Sequence, residues 1–341
     1  MFRKLQYALL IAVPLLWGSC ASIHEDLDPC EVYLEFVYDY NMEFTCSFRE
    51  KVGTVDVFVF DGQGRYLFTK QAECATQLIG GNRMLLSNDL EFGDYNIFTV
   101  GGLSSHFRVS DLLGSAPVVG QTTVEEMQIA LDRRSDEVSH EFPAMWVGPA
   151  IAVSYTPGNR DHVVWKVPTI KDTNVFHISL AAASAANTMD SRAETVDAPS
   201  PYTFKIVIPQ GAVYGYDNAP LSDETVTYRP YLLGPGTDPG NLWTAKINTT
   251  RLFDEKNSGY NFAILNASTG EEVWSYDLIY LLEQTMPKNL PVKLTMQEYL
   301  DRESEWNLVI YYNNNGPGDD GFVAIGVKVN GWIIWFNDLG V

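Results

Sequence analysis

Val55-Asp56-Val57-Phe58-Val59-Phe60-Asp61-Gly62-Gln63-Gly64-Arg65-Tyr66-Leu67-Phe68 reads as two apolar runs hinged on a four-residue turn. β-Branched and aromatic residues suit a pleated surface, and the two glycines supply the positive φ that a tight reversal requires. The same period of two recurs on either side. Val32 to Tyr38, Gly93 to Val100, Met145 to Gly148 and Val163 to Val167 read as strands, as do Asn174 to Leu180 and Thr203 to Pro209. Further strands are expected at Thr225 to Tyr231, Trp243 to Asn248, Ser304 to Tyr312, Phe322 to Val329 and Trp332 to Phe336. Between 103 and 120 the spacing is mixed and admits a short helix around Ser110 to Leu113. The stretch 181–201, rich in Ala, Ser and Thr, reads as a surface loop. Many short strands, few helical windows and no internal repeat make this an all-β chain, with β-sandwiches as the architecture.

The last hairpin turns on Asn330-Gly331, a strong two-residue turn signal. Beyond it Trp332, Ile334 and Phe336 fall on one face of the strand, and Ile333 and Trp335 on the other. A strand apolar on both faces calls for cover on both sides, from its own sandwich or from a neighbour's groove.

The N-terminus has the parts of an export signal. Arg3 and Lys4 precede an apolar run, Leu5 to Leu16, too short to span a bilayer comfortably, since a helix needs roughly 20 apolar residues. Small residues then lead to Cys20, as in a bacterial lipobox, where the thiol is acylated and becomes the mature N-terminus; Trp17 stands where such boxes more often carry Leu. Residues 1–19 are therefore expected to be a lipoprotein signal peptide, and 20–29, with Glu25, Asp26 and Asp28, a lipidated acidic tether. Removing Arg3 and Lys4 takes the net charge from −20 to −22. So acidic a surface repels phosphate backbones, which excludes nucleic acid as a natural partner. About 320 residues remain, a length that suggests two domains, here 30–167 and 168–341. Cys30, Cys46 and Cys74 form an odd set that leaves at least one thiol unpaired.

No catalytic or metal constellation emerges. His24, His106, His140, His162 and His177 include no pair spaced for one helix face, and no HExxH occurs. Ser104 and Ser105 lack nucleophile-elbow spacing, and no glycine-rich phosphate loop is present. Asn313 to Gly321 carries enough oxygens for weak calcium binding, but its turn-forming composition explains it equally well. No enzyme activity, cofactor or metal is expected.

Two segments carry more than composition. Met296-Gln297-Glu298-Tyr299-Leu300-Asp301-Arg302-Glu303-Ser304-Glu305-Trp306, followed by Leu308-Val309-Ile310 and Val327 to Trp332, resembles the C-terminal signature of the FimB-type fimbrial anchor lipoproteins of Bacteroides-group type V pili. Cys20 to Asp26, Leu34 to Met42 and the Val57 to Tyr66 hairpin agree at the other end. The resemblance implies two tandem transthyretin-like β-sandwiches on a lipidated base at the outer membrane. It also implies a non-enzymatic protein that anchors a fimbria and limits its length, with a fimbrial stalk subunit as partner. Family pili assemble by strand exchange, so Trp332, Ile334 and Phe336 become the candidate surface for strand addition and Cys20 the lipidation site. An anchor keeps its own first strand, here Val32 to Tyr38. The competing reading is a fimbrial tip adhesin or a lipoprotein that binds a glycan or host protein through its aromatics.

Overall fold

The computed structural model describes residues 31–156, 162–183, 199–236, 241–255, 258–288, 290, 292–313 and 322–336. Cys20, Cys30, the tether, most of 181–201 and most of the 313–321 loop lie outside them. The Val55–Phe68 hairpin is present and longer than its sequence signal. Strands β2 (Thr54–Asp61) and β3 (Tyr66–Glu73) pair antiparallel, and Gly64 in the turn adopts φ 76°.

These strands belong to a five-stranded sheet in the order β11 (Ile170–Lys171), β9 (Trp146–Tyr155), β5 (Gly93–Gly101), β2, β3. A three-stranded sheet, β10 (Val163–Pro168), β1 (Val32–Val37), β4 (Arg83–Leu85), packs on one face of it. β1 runs parallel to β10 and antiparallel to β4. Its alternate residues Val32, Leu34 and Phe36 are fully buried against Val55, Val57, Val59 and Ile97, and the short helices α1 (Phe48–Lys51) and α2 (Cys74–Gln77) close the rim with Phe48 and Cys74. Phe58, Phe60, Phe98 and Val100 point the opposite way. They lie under a second cover, the sheet β14 (Val213–Gly215), β7 (Gln128–Leu131), β6 (Phe107–Ser110). β2 is therefore buried on both faces, which is why its sequence is nearly unbroken in apolar residues.

A second sandwich is larger. Its six-stranded sheet runs β16 (Leu232–Pro235), β17 (Asn241–Thr250), β12 (Thr173–Ala182), β20 (Glu305–Asn313), β21 (Val323–Val329), β22 (Trp332–Trp335). The facing sheet runs β19 (Glu272–Asp277), β18 (Asn261–Asn266), β13 (Tyr202–Ile208), β15 (Val226–Tyr228), β8 (Glu137–Val138). Phe176, Ile178 and Leu180 meet Phe204, Ile206 and Ile208 between them, with Trp306, Leu308 and Ile310 alongside. Helices α3 (Leu278–Glu283) and α4 (Met296–Arg302) close the rim. β14 pairs with β7 and β8 with β15, so residues on either side of position 167 share two sheets.

The all-β sandwich expectation holds. The helix expected around Ser110 to Leu113 is corrected: Ser110 ends strand β6, and Asp111 Oδ1 accepts the backbone N–H groups of Leu113 (2.9 Å) and Ser115 (2.8 Å). That side-chain turn competes with the helix for the same donors. Cys46 is exposed and Cys74 buried, both as free thiols, and burial raises the Cys74 pKa to about 11.

Candidate functional site

Among the described residues, no group of three or more His, Cys, Asp or Glu is placed to hold a metal ion, and no helix is long and apolar enough to cross a membrane. The chemistry worth building is that of an edge. Asn330 (φ 44°) and Gly331 (φ 94°) form a turn with both central residues left-handed, and the hairpin they close pairs Val329 with Trp332 and Val327 with Ile334. This register puts Trp332 and Ile334 on the core-facing side with Val327 and Val329, and Ile333 and Trp335 on the outer side. β22 is the last strand of its sheet, and no strand among the described residues covers its far edge.

The three residues singled out from sequence have different surroundings. Phe336 is buried, with its ring 5.2 Å from Trp274 and 6.1 Å from Tyr276, and the planes of those two are nearly parallel. Ile334 is half-buried against the same core. Trp332 is 57% exposed and Ile333 beside it 45%. On the outer side Trp335 lies over Gly326, where a Cβ would come within 2.7 Å of its ring, and sits 6.1 Å from Tyr311. The strand is thus pinned at its C-terminal end and open at its start. An edge of this kind, with large apolar side chains and unpaired backbone groups, is a template for another strand. The one sequence signal for the seat of Phe336 is Val273-Trp274-Ser275-Tyr276, which alternates as a strand should.

The two segments that carry the sequence resemblance meet in space. Thr295 and Glu298 form a capping box that starts α4, and the helix delivers Asp301 and Arg302 to the boundary between the sandwiches. Arg302 donates from Nη1 to the carbonyls of Asp39 (2.8 Å) and Asn41 (3.3 Å), with its guanidinium over the rings of Tyr40 (4.2 Å) and Phe44 (4.6 Å). Buried Asp301 accepts a two-pronged pair from Arg251 at 2.7 and 2.9 Å. Arg251 also donates to the Asn218 carbonyl at 2.7 Å.

Asp172, on the connection between β11 and β12, is the odd charge in this cluster. It is fully buried beside one guanidinium already matched by Asp301. Its Oδ1 accepts from Asn218 Nδ2 at 2.9 Å, while its Oδ2 and the Asn218 Oδ1 have no partner. A proton on Asp172 would let the acid and the amide close a ring that satisfies both orphan atoms. Burial raises this carboxyl from 3.8 to about 7, against the attraction of Arg251. A pKa raised in the folded state gives a contribution to stability that is whole below the unfolded value and is lost as pH rises to the folded one. From about pH 4 to 7 this group should therefore cost about 1.4 kcal/mol per pH unit. Asp172→Asn mimics the protonated acid. Urea unfolding should find it more stable than the parent at pH 8, with a flatter pH dependence; an unchanged pH dependence would refute the assignment.

Comparison with known proteins sets this geometry in context. Residues 27–338 match the family profile described as fimbrillin-A associated anchor proteins Mfa1 and Mfa2. No curated protein gives a significant match. The chain is 39% identical to a candidate adhesin from Bacteroides ovatus, with 93% of this chain and 98% of that one covered at a TM-score of 0.80. It is 25% identical to a candidate polysaccharide-binding protein from Bacteroides thetaiotaomicron, covering 90% and 98% at 0.73. The fimbrial anchor protein Mfa2 from Porphyromonas gingivalis shares the fold at 18% identity, covering 89% and 98% at 0.62.

Proposed function

Since the chain belongs to the family of fimbrillin-A associated anchor proteins, we propose that it holds a type V fimbria at the outer membrane and limits its length, without enzymatic activity. The supporting observation is the contrast between its first and last strands. β1 is closed in between β10 and β4, with Val32, Leu34 and Phe36 fully buried, so the lipid end is tied into a finished sandwich. Among the described residues β22 is an open edge. A subunit built this way has its first strand already seated and, among the described residues, a last strand free along one edge, which suits a terminus rather than a repeating link. A fimbrial stalk subunit would add a strand along β22, taking main-chain hydrogen bonds from the edge and seating against Trp332, Ile334 and the Phe336 pocket.

Cys20 supplies the membrane attachment in this reading. Several acyl chains, each buried methylene adding about 0.8 kcal/mol, make a stable anchor. Cys20→Ala is expected to move the protein from the membrane fraction to the soluble fraction; retention in the membrane would contradict the lipid assignment. The likeness to a candidate adhesin favours a second reading, a surface-exposed tip adhesin. A glycan array signal lost on replacing Trp332 would support it.

A further inference from the structure

We propose that the end of the first sandwich from which the tether departs docks on the lipid bilayer through the apolar loop that carries Leu112, Leu113, Val118 and Val119, with Phe92 exposed at the same end of the sheet. The proposal rests on the lipid-anchored reading and extends it from one acylated cysteine to a protein surface. Leu113 is 91% exposed and Val119 64%, and Leu112, Val118 and Phe92 are also exposed. Soluble proteins carry exposed apolar residues singly, whereas a cluster marks an interaction site.

The loop is held in this shape. Asp111 Oδ1 accepts from Leu113 and Ser115, Val118 N–H donates to Thr122 Oγ1 at 2.9 Å, and Gly120 N–H donates to the Tyr66 carbonyl at 2.8 Å. Its side chains are therefore presented outward by a braced turn.

Strand registers place the patch. Tyr66 follows the Gly62–Gly64 turn, Asp61 pairs with Tyr95, and Gly93 pairs with Tyr155. Phe92 lies with its ring 4.6 Å from Tyr155. The opposite end of β5 pairs Gly101 with Trp146, which meets Tyr38 just past the end of β1. Thr169, on the connection to the second sandwich, donates to the Val37 carbonyl. β1 therefore runs from the patch end at Val32 toward the second sandwich at Val37. The tether from Cys20 to Glu31 spans at most about 40 Å fully extended, so the acylated residue and the patch serve the same end of the molecule.

Charge selects the kind of contact. Among the residues that flank these side chains in sequence or sit at the adjoining Gly62–Gly64 turn, Asp61, Glu91, Asp94, Asp111 and Glu125 outnumber Arg65 and Arg108. Anionic headgroups would be repelled, so the patch suits apolar insertion into a neutral lipid surface.

The test uses the acylated full protein on phosphatidylcholine vesicles, with a polarity-sensitive dye at Leu113→Cys in a Cys30→Ser, Cys46→Ser background. Thr269→Cys, in an exposed turn of the second sandwich, is the control. Dye at 113 should shift to the blue and be quenched by doxyl lipid several-fold more than dye at 269. Equal access of aqueous iodide to both positions on vesicle-bound protein would overturn the proposal. Shielding at 113 that persists without vesicles would overturn it too, pointing to a second copy. Failure of the acylated protein to bind vesicles at all would strike at the anchor reading itself and remove the proposal with it.

Discussion

Arg251→Ala is expected to destabilise the protein by roughly 3–5 kcal/mol, the usual cost of removing one partner from a buried ion pair. Asp301 then has no counter-ion for its two oxygens, Asp172 loses the nearest positive charge, and the Asn218 carbonyl loses a donor. All of these groups are nine-tenths buried or more, so water cannot replace the lost bonds cheaply. The cost should come mainly from the stranded carboxylates. Arg251→Met combined with Asp301→Leu should therefore lose less stability than Arg251→Ala alone, because a buried pair replaced by apolar groups is often nearly neutral. Urea unfolding of the three proteins decides the matter. A double variant less stable than the single one would show that the pair contributes by attraction and not by mutual compensation. The junction should also loosen, since Arg302, which reaches the Asp39–Phe44 segment, follows Asp301 on the same helix.

Trp332→Ala should act almost entirely on partnership. The side chain is more than half exposed, so unfolding should change by no more than about 0.5 kcal/mol. A tryptophan at the centre of a docked strand commonly accounts for about 2–4 kcal/mol of binding, a loss of roughly 30- to 1,000-fold in affinity. Titration with the purified stalk subunit measures it. Affinity unchanged by Trp332→Ala, and also by Ile333→Asp on the outer face, would remove β22 from the interface. Phe336→Ala is the wrong probe, because it empties a seat on Trp274 and Tyr276 and weakens the strand from within.

Where local chemistry decided the backbone, the sequence was readable. The Val55–Phe68 hairpin and the Asn330-Gly331 turn were legible because apolar alternation and left-handed turn residues act over a few positions. Helix α4 has its start written in Thr295 and Glu298, yet its seven residues are too few to show a helical period. β14 has three residues and owes its existence to β7, a partner remote in sequence. The Asp172–Asn218–Arg251–Asp301 cluster is invisible for the same reason: three connections and helix α4, far apart in the chain, converge only on folding. The candidate edge divides likewise. Which side chains share a face of β22 follows from period two, but that Phe336 is seated and Trp332 exposed depends on β19, about sixty residues earlier in the chain.

The central claim is that this protein terminates a fimbria at the cell. Electron microscopy of cells lacking its gene, with the culture medium assayed for released fimbriae, tests this most directly. Fimbriae that are longer than in the parent and shed into the medium are the expected result; fimbriae of unchanged length, still attached, would contradict it.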